Sequence, residues 1–130
     1  MAKVQTVLPT PAELAILNVL WALGEATVDD VVKNQRSRPN YKTVQTVLRI
    51  MEEKGFVRHS TRGRVFVFEP CVSRKQVGKR SVRKLLAQTF GGSPIEMMIN
   101  FLEAAPLSED EVSQLESLIQ DYKRGRKKHA

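Results

Sequence analysis

The stretch Asn40-Tyr41-Lys42-Thr43-Val44-Gln45-Thr46-Val47-Leu48-Arg49-Ile50-Met51-Glu52-Glu53-Lys54-Gly55 holds a helix together with its stop signal. Val44, Val47, Leu48 and Met51 recur at the i, i+3, i+4, i+7 spacing of a single helical face. Gly55 closes the run, because glycine adopts the left-handed conformation at which helices end. If the apolar face packs inward, a turn of about 100° per residue puts Lys42, Thr46 and Arg49 on the opposite side, with Thr43 and Gln45 beside them. Glu52 and Glu53 come only at the far end. The free face therefore carries cations and neutral hydrogen-bonding groups, with its acids last.

Upstream, two more helices are legible. Thr10-Pro11-Ala12-Glu13 supplies a hydroxyl cap, a proline at the first helical position and the glutamate of a capping box. An apolar run from Leu14 to Leu23 follows, stopped by Gly24. Thr27 caps the second helix, with Asp29 and Asp30 at its positive end and Val28, Val31 and Val32 as its buried stripe. Ser37-Arg38-Pro39 breaks the chain before Asn40, since proline disfavours helix in the residue that precedes it. Downstream of Gly55 the period changes from helical to alternating. Phe56–Ser60 and Val65–Phe68 are β-branched and aromatic runs joined by Thr61-Arg62-Gly63-Arg64, a hairpin with a basic tip. Three helices followed by a hairpin, with a short turn between helices two and three, is the order of a winged helix-turn-helix, whose third helix enters the DNA major groove.

Charge points to the same segment. The chain has 130 residues, a formal net charge of +7 and a pI near 9.9. Nine basic residues and two acids lie between Lys33 and Arg64, an excess equal to that of the whole chain. Lys42, Thr43, Gln45, Thr46 and Arg49 are the expected base and nearby phosphate contacts. Arg58, Arg62 and Arg64 are the expected contacts to the sugar-phosphate backbone.

Residues 71–130 read as a second, helical unit after a DNA-binding unit of residues 1–70. Ser73-Arg74-Lys75-Gln76 caps a helix running to about Phe90, and Gly91-Gly92 turns the chain. Ser93-Pro94 opens a fifth helix with Ile95, Met98, Ile99 and Leu102 on one side. Ser108-Glu109-Asp110-Glu111 caps a sixth, and Lys123–Ala130 reads as a basic, frayed tail. The apolar stripes of helices four and six exceed what packing within one small chain consumes. Val77, Leu85, Leu86 and Phe90, with Val112, Leu115, Leu118, Ile119 and Tyr122, are the expected homodimer interface; a monomeric core extension is the competing reading.

Other function classes find little support. No Ser/His/Asp set, paired carboxylates with a base, phosphate-cradling glycine loop or metal-ligand spacing is evident, so no enzyme, metal site or cofactor is expected. His59 reads as a strand residue and His129 as part of the tail, without ligand-spaced companions. Cys71 is the only cysteine, which excludes an internal disulfide, and it reads as a small apolar residue. No run of about 18 apolar residues suggests membrane insertion, and Met1–Thr6 lack the pattern of a secretory leader; a cytoplasmic protein is expected. Two alternatives to an operator-binding protein stay open. One is a winged helix that serves protein interaction; the other is a ligand-gated regulator with Met97 and Met98 lining a pocket.

Several segments together resemble the penicillinase-repressor family, the BlaI/MecI/CopY group of winged-helix transcriptional repressors. They are Leu8–Leu14 with Val19-Leu20-Trp21, Tyr41–Arg49 through Glu53-Lys54-Gly55, Arg64–Pro70, Phe90-Gly91-Gly92-Ser93 and Leu107–Glu111. The resemblance implies a homodimer covering a palindromic operator, with helices four to six as the dimerisation unit. It also implies release through a membrane sensor-protease pathway, by cleavage of an Asn-Phe bond in the fifth helix. Asn100-Phe101 stands at the corresponding place, although the same pair also suits ordinary packing. Copper-responsive members carry a C-terminal cysteine motif, and this chain has no cysteine after Cys71.

Overall fold

The computed structural model describes residues 7–129, so the reading of Met1–Thr6 lies outside the described residues. Six helices and one hairpin follow in the order α1 (Pro11–Leu23), α2 (Val28–Lys33), α3 (Tyr41–Lys54), β1 (Val57–Arg62), β2 (Val65–Pro70), α4 (Arg74–Thr89), α5 (Pro94–Ala104) and α6 (Glu109–His129). This mainly helical chain with a hairpin after its third helix is a winged helix-turn-helix followed by further helices. It divides into two compact units, with the boundary between Lys84 and Leu85.

Local chemistry sets the helix starts. Thr10 accepts the Glu13 amide at 3.2 Å while Glu13 Oε1 accepts the Thr10 amide at 2.8 Å, the reciprocal pair of a capping box. Thr27 and Asp30 repeat it at α2, each contact 3.1 Å. Asn40 starts α3 by accepting the Lys42 amide at 2.8 Å. Between α2 and α3, Arg38 holds a φ of 47°, a left-handed conformation uncommon for a residue with a Cβ. At the other end of α3, Gly55 (φ 87°) donates to the Glu52 carbonyl, and the Phe56 amide returns to Met51 at 2.9 Å.

The core of the first unit lies where α1, α2, α3 and the hairpin meet. Ile16, Leu17 and Leu20 of α1, Val31 of α2, and Val44, Leu48 and Met51 of α3 are buried against Phe56, Val57 and Phe68. Val47 is partly buried and packs against this cluster. A two-way bridge between Ala26 and Phe68 (2.9 and 2.8 Å) ties the α1–α2 loop to β2. The hairpin is longer than its sequence suggests. Thr61 and Arg62 belong to β1, and only Gly63-Arg64 forms the turn, with register Arg62↔Val65 through Val57↔Pro70. Gly63 (φ 63°) occupies the first turn position, where a two-residue turn of this hand favours glycine.

The first unit also extends beyond Pro70, where the sequence reading placed its end. Val72 and Val77 are buried in the same core, Trp21 Nε1–H donates to the Val72 carbonyl at 2.8 Å, and the Arg74 guanidinium lies 4.8 Å from the Trp21 ring centroid. Val77 is thus a core residue of the first unit rather than part of a subunit interface: the first turns of α4 fold back under α1. The tail reading is corrected as well. Lys123 to His129 continue α6. Lysine and arginine are good helix formers, their charge suits a helix C-terminus, and Asp121 pairs with Arg124 one turn on.

From Leu85 onward, no described side chain is buried. Ser108 and Glu111 cap α6 reciprocally (3.0 and 3.1 Å), and Ser93 caps α5. These helices are locally well made yet have no core of their own. Apolar side chains on all three lie open, including Leu85, Ile95, Leu102, Leu118, Ile119 and Tyr122.

Candidate nucleic-acid interface

α3 divides its side chains as its period requires. Val44, Leu48 and Met51 are buried, and Lys42, Thr43, Gln45, Thr46 and Arg49 are all exposed. Lys42 and Arg49 make no ion pair among the described residues. A cationic and amide-bearing face is therefore free, on a helix anchored along its other side.

Two contacts fix the far end of that helix. Lys54 Nζ reaches Glu13 Oε2 at 2.8 Å, joining the last turn of α3 to the first turn of α1. Burial pushes the Glu13 carboxyl up, but the Lys54 ammonium and the Thr10 amide outweigh it and hold the group below its ordinary value. Glu52 takes His59 Nδ1 at 2.7 and 2.9 Å on its two oxygens. A carboxylate can only accept there, so Nδ1 carries the proton. The contact joins the wing to α3, and within the wing His59 stacks on Phe66 at 4.3 Å between ring centroids.

Strand alternation sorts the wing. His59, Phe66 and Phe68 occupy one face, which with Lys42, Gln45, Thr46 and Arg49 lines a groove of about 440 Å3. An adjoining groove of similar volume runs from Tyr41 and Gln45 to Arg64 and Val65. A roomier hollow of about 620 Å3 lies between α1 and the chain after α2, away from this face and lined mainly by apolar and amide groups.

Arg58 and Arg62 lie on the other face of the wing, and both are engaged. Arg58 Nε pairs with Glu69 at 2.6 Å. Arg62 makes a two-pronged contact with Glu25, Nη2 to Oε1 at 2.9 Å and Nη1 to Oε2. These carboxylates push both guanidinium groups further up from their ordinary value. Arg64, in the turn, has no ion-pair partner among the described residues. Sequence reasoning treated the three wing arginines as equivalent, and the tertiary structure separates them. It also brings in His59, Phe66 and Glu25, which the sequence reading left out. Period-2 alternation could have placed the first two together, whereas nothing local marks Glu25.

Residues 9–121 match the penicillinase repressor family. The chain belongs to that family. The penicillinase repressor of Bacillus licheniformis is 30% identical over 118 residues, covering 89% of this chain and 92% of that protein. The methicillin resistance regulatory protein MecI of Staphylococcus aureus (strain N315) is 20% identical over 110 residues, 83% of this chain and 89% of its own length. An uncharacterised 16.5 kDa protein of Latilactobacillus sakei is 20% identical over 112 residues, 85% of this chain and 77% of its own length. The family is one of transcriptional repressors, which are not enzymes. No helix among the described residues is long and apolar enough to cross a membrane.

The remaining residues singled out in the sequence fall in the second unit. Leu85, Val112, Leu118, Ile119 and Tyr122 are exposed, and Leu86, Phe90 and Leu115 are half-buried. Asn100 and Phe101 are exposed on α5, where the Asn100 side-chain amide donates to the Glu96 carbonyl at 2.8 Å.

Proposed function

We propose that this chain is a cytoplasmic transcriptional repressor that binds a palindromic operator in double-stranded DNA as a homodimer. α3 enters the major groove, where Lys42, Thr43, Gln45, Thr46 and Arg49 meet base edges and nearby phosphates. The observation that carries the reading is the exposed cationic face of α3, whose Lys42 and Arg49 make no ion pair among the described residues, set opposite the buried Val44, Leu48 and Met51. Arginine and lysine pair with guanine, glutamine with adenine, and the threonine methyl with that of thymine. At the wing, Arg64 meets the sugar-phosphate backbone, whereas Arg58 and Arg62 arrive already neutralised by carboxylates.

The second unit supplies the dimer in this reading. From Leu85 onward no described side chain is buried, so these helical segments cannot offset the entropy of their own ordering, and a second copy laid against their apolar faces removes that surface from water. The contact comprises Leu85, Leu86, Phe90, Val112, Leu115, Leu118, Ile119 and Tyr122, joined by the apolar side of α5. A two-fold dimer presents two α3 helices to two half-sites. Scission between Asn100 and Phe101, downstream of a membrane sensor-protease, would break α5 and uncouple the half-sites.

Selection of bound duplexes from a random pool tests the proposal. The expected result is a palindromic consensus, with affinity falling by orders of magnitude between about 50 and 200 mM salt. No enriched sequence and a shallow salt slope would favour a protein-interaction module instead.

A further inference from the structure

The wing carries three arginines, and among the described residues only Arg64 lacks an ion-pair partner. Arg62 reaches across its face of the hairpin to Glu25 and is held by two nearly parallel hydrogen bonds, the strongest geometry available to a guanidinium and a carboxylate. Glu25 is itself well placed, because the next residue, Ala26, is bridged in both directions to Phe68 of β2. The side chain thus projects from a pinned backbone. Arg58 is occupied by Glu69 on the same strand face through a single contact from Nε at 2.6 Å. That face is opposite the one bearing His59, Phe66 and Phe68, the side from which the wing meets α3.

We propose that Glu25 restrains sequence-independent DNA binding by keeping Arg62 off the phosphates. The inference rests on the operator-binding reading above. Contacts to phosphate carry no sequence information, and they supply nearly all of the affinity for random DNA. When α3 is seated on an operator, the register of the wing is set, and Arg62 lies on the face turned from α3. In a loose complex with random sequence no such register exists, so a free Arg62 would find a phosphate in many orientations. Glu25 withdraws that contact. The operator complex keeps its base contacts, while binding at random sites is weakened.

The test uses the full-length protein and a fluorescein-labelled duplex of random sequence, with affinity measured across a salt series. Glu25→Gln keeps the side-chain shape and removes the charge that holds Arg62. Its affinity is expected to rise about fivefold near 0.1 M salt, and the log–log salt slope to steepen by about one unit. Arg62→Ala alone should leave the wild-type slope unchanged, because that arginine is not on phosphate. In the Glu25→Gln background, the same Arg62→Ala change should return the slope to wild type.

Two outcomes overturn the proposal while leaving the DNA reading intact: Arg62→Ala by itself makes the slope shallower by about one unit, or Glu25→Gln leaves the slope unchanged. A wild-type protein that binds no duplex in a salt-dependent way would sink both readings together. Thermal melting serves as a fold control. An exposed pair contributes little to stability, so a midpoint close to wild type is expected for each variant.

Discussion

Replacing Lys54 by Met tests how α3 is held in place. Lys54 joins the last turn of α3 to Glu13 at the start of α1, and the Glu13 side chain is almost completely buried. Methionine keeps much of the apolar stem but leaves one carboxylate oxygen without a cation. Removing one partner of a fully buried pair costs about 3–5 kcal/mol. The Lys54 side chain is 35% exposed, so water can reach the vacated edge, and Glu13 keeps the Thr10 amide. The expected loss is therefore about 2 kcal/mol. Trp21, the only tryptophan, reports on the core through its fluorescence during urea unfolding. At a slope of about 1 kcal/mol/M the midpoint should fall by about 2 M. Equal protein concentrations are required, because the proposed dimer would add to apparent stability.

The pH dependence follows from the sign of the Glu13 shift. Its native carboxyl lies below the ordinary value of 4.5, so its contribution is complete above that value and is lost as pH falls through the depressed one. In the Lys54→Met protein, burial acts without the ammonium, and protonation relieves the penalty. The gap between the two proteins should then narrow on acidification. A gap under about 0.5 kcal/mol at neutral pH would refute the reasoning. So would one that widens as the pH falls.

Three further outcomes are expected. Arg49→Ala should cost about 1–3 kcal/mol of operator affinity and relax the preference at one base position, measured by competition with single-base operator variants. Equal losses on operator and random DNA would contradict the base-reading role. Val77→Ala should lower unfolding stability by about 2 kcal/mol through lost burial and a residual cavity, while its sedimentation matches that of the wild-type protein. Leu118→Glu with Ile119→Glu should shift sedimentation toward monomer and weaken operator binding, while Trp21-detected unfolding of the first unit persists.

Much of the first unit was legible because its signals are local. Thr10 and Glu13, Thr27, Asn40 and Gly55 each act within one turn of helix, so their residue types mark helix ends before any packing is known. The face of α3 was legible for a related reason: Val44, Leu48 and Met51 repeat at the helical period, which turns Lys42, Gln45, Thr46 and Arg49 outward. Three expectations met a different outcome. Val77 has the spacing of an interface stripe, but α4 brings it beneath α1. Pro70 looks like a boundary, yet Val72 hydrogen-bonds to Trp21 through its carbonyl. The basic run after Tyr122 is not a frayed end, since no proline interrupts it and its charges suit a helix C-terminus.

Local signals set the order of elements, the starts of the first three helices and the polarity of α3, all of which depend on neighbours within a few positions of one another. Tertiary structure alone decided which charges remain free. Glu25 and Arg62 are separated by 37 positions, as Glu13 and Lys54 are by 41, and no periodicity links such residues. Ion pairing depends on distance in space, and that distance exists only once the chain has closed on itself.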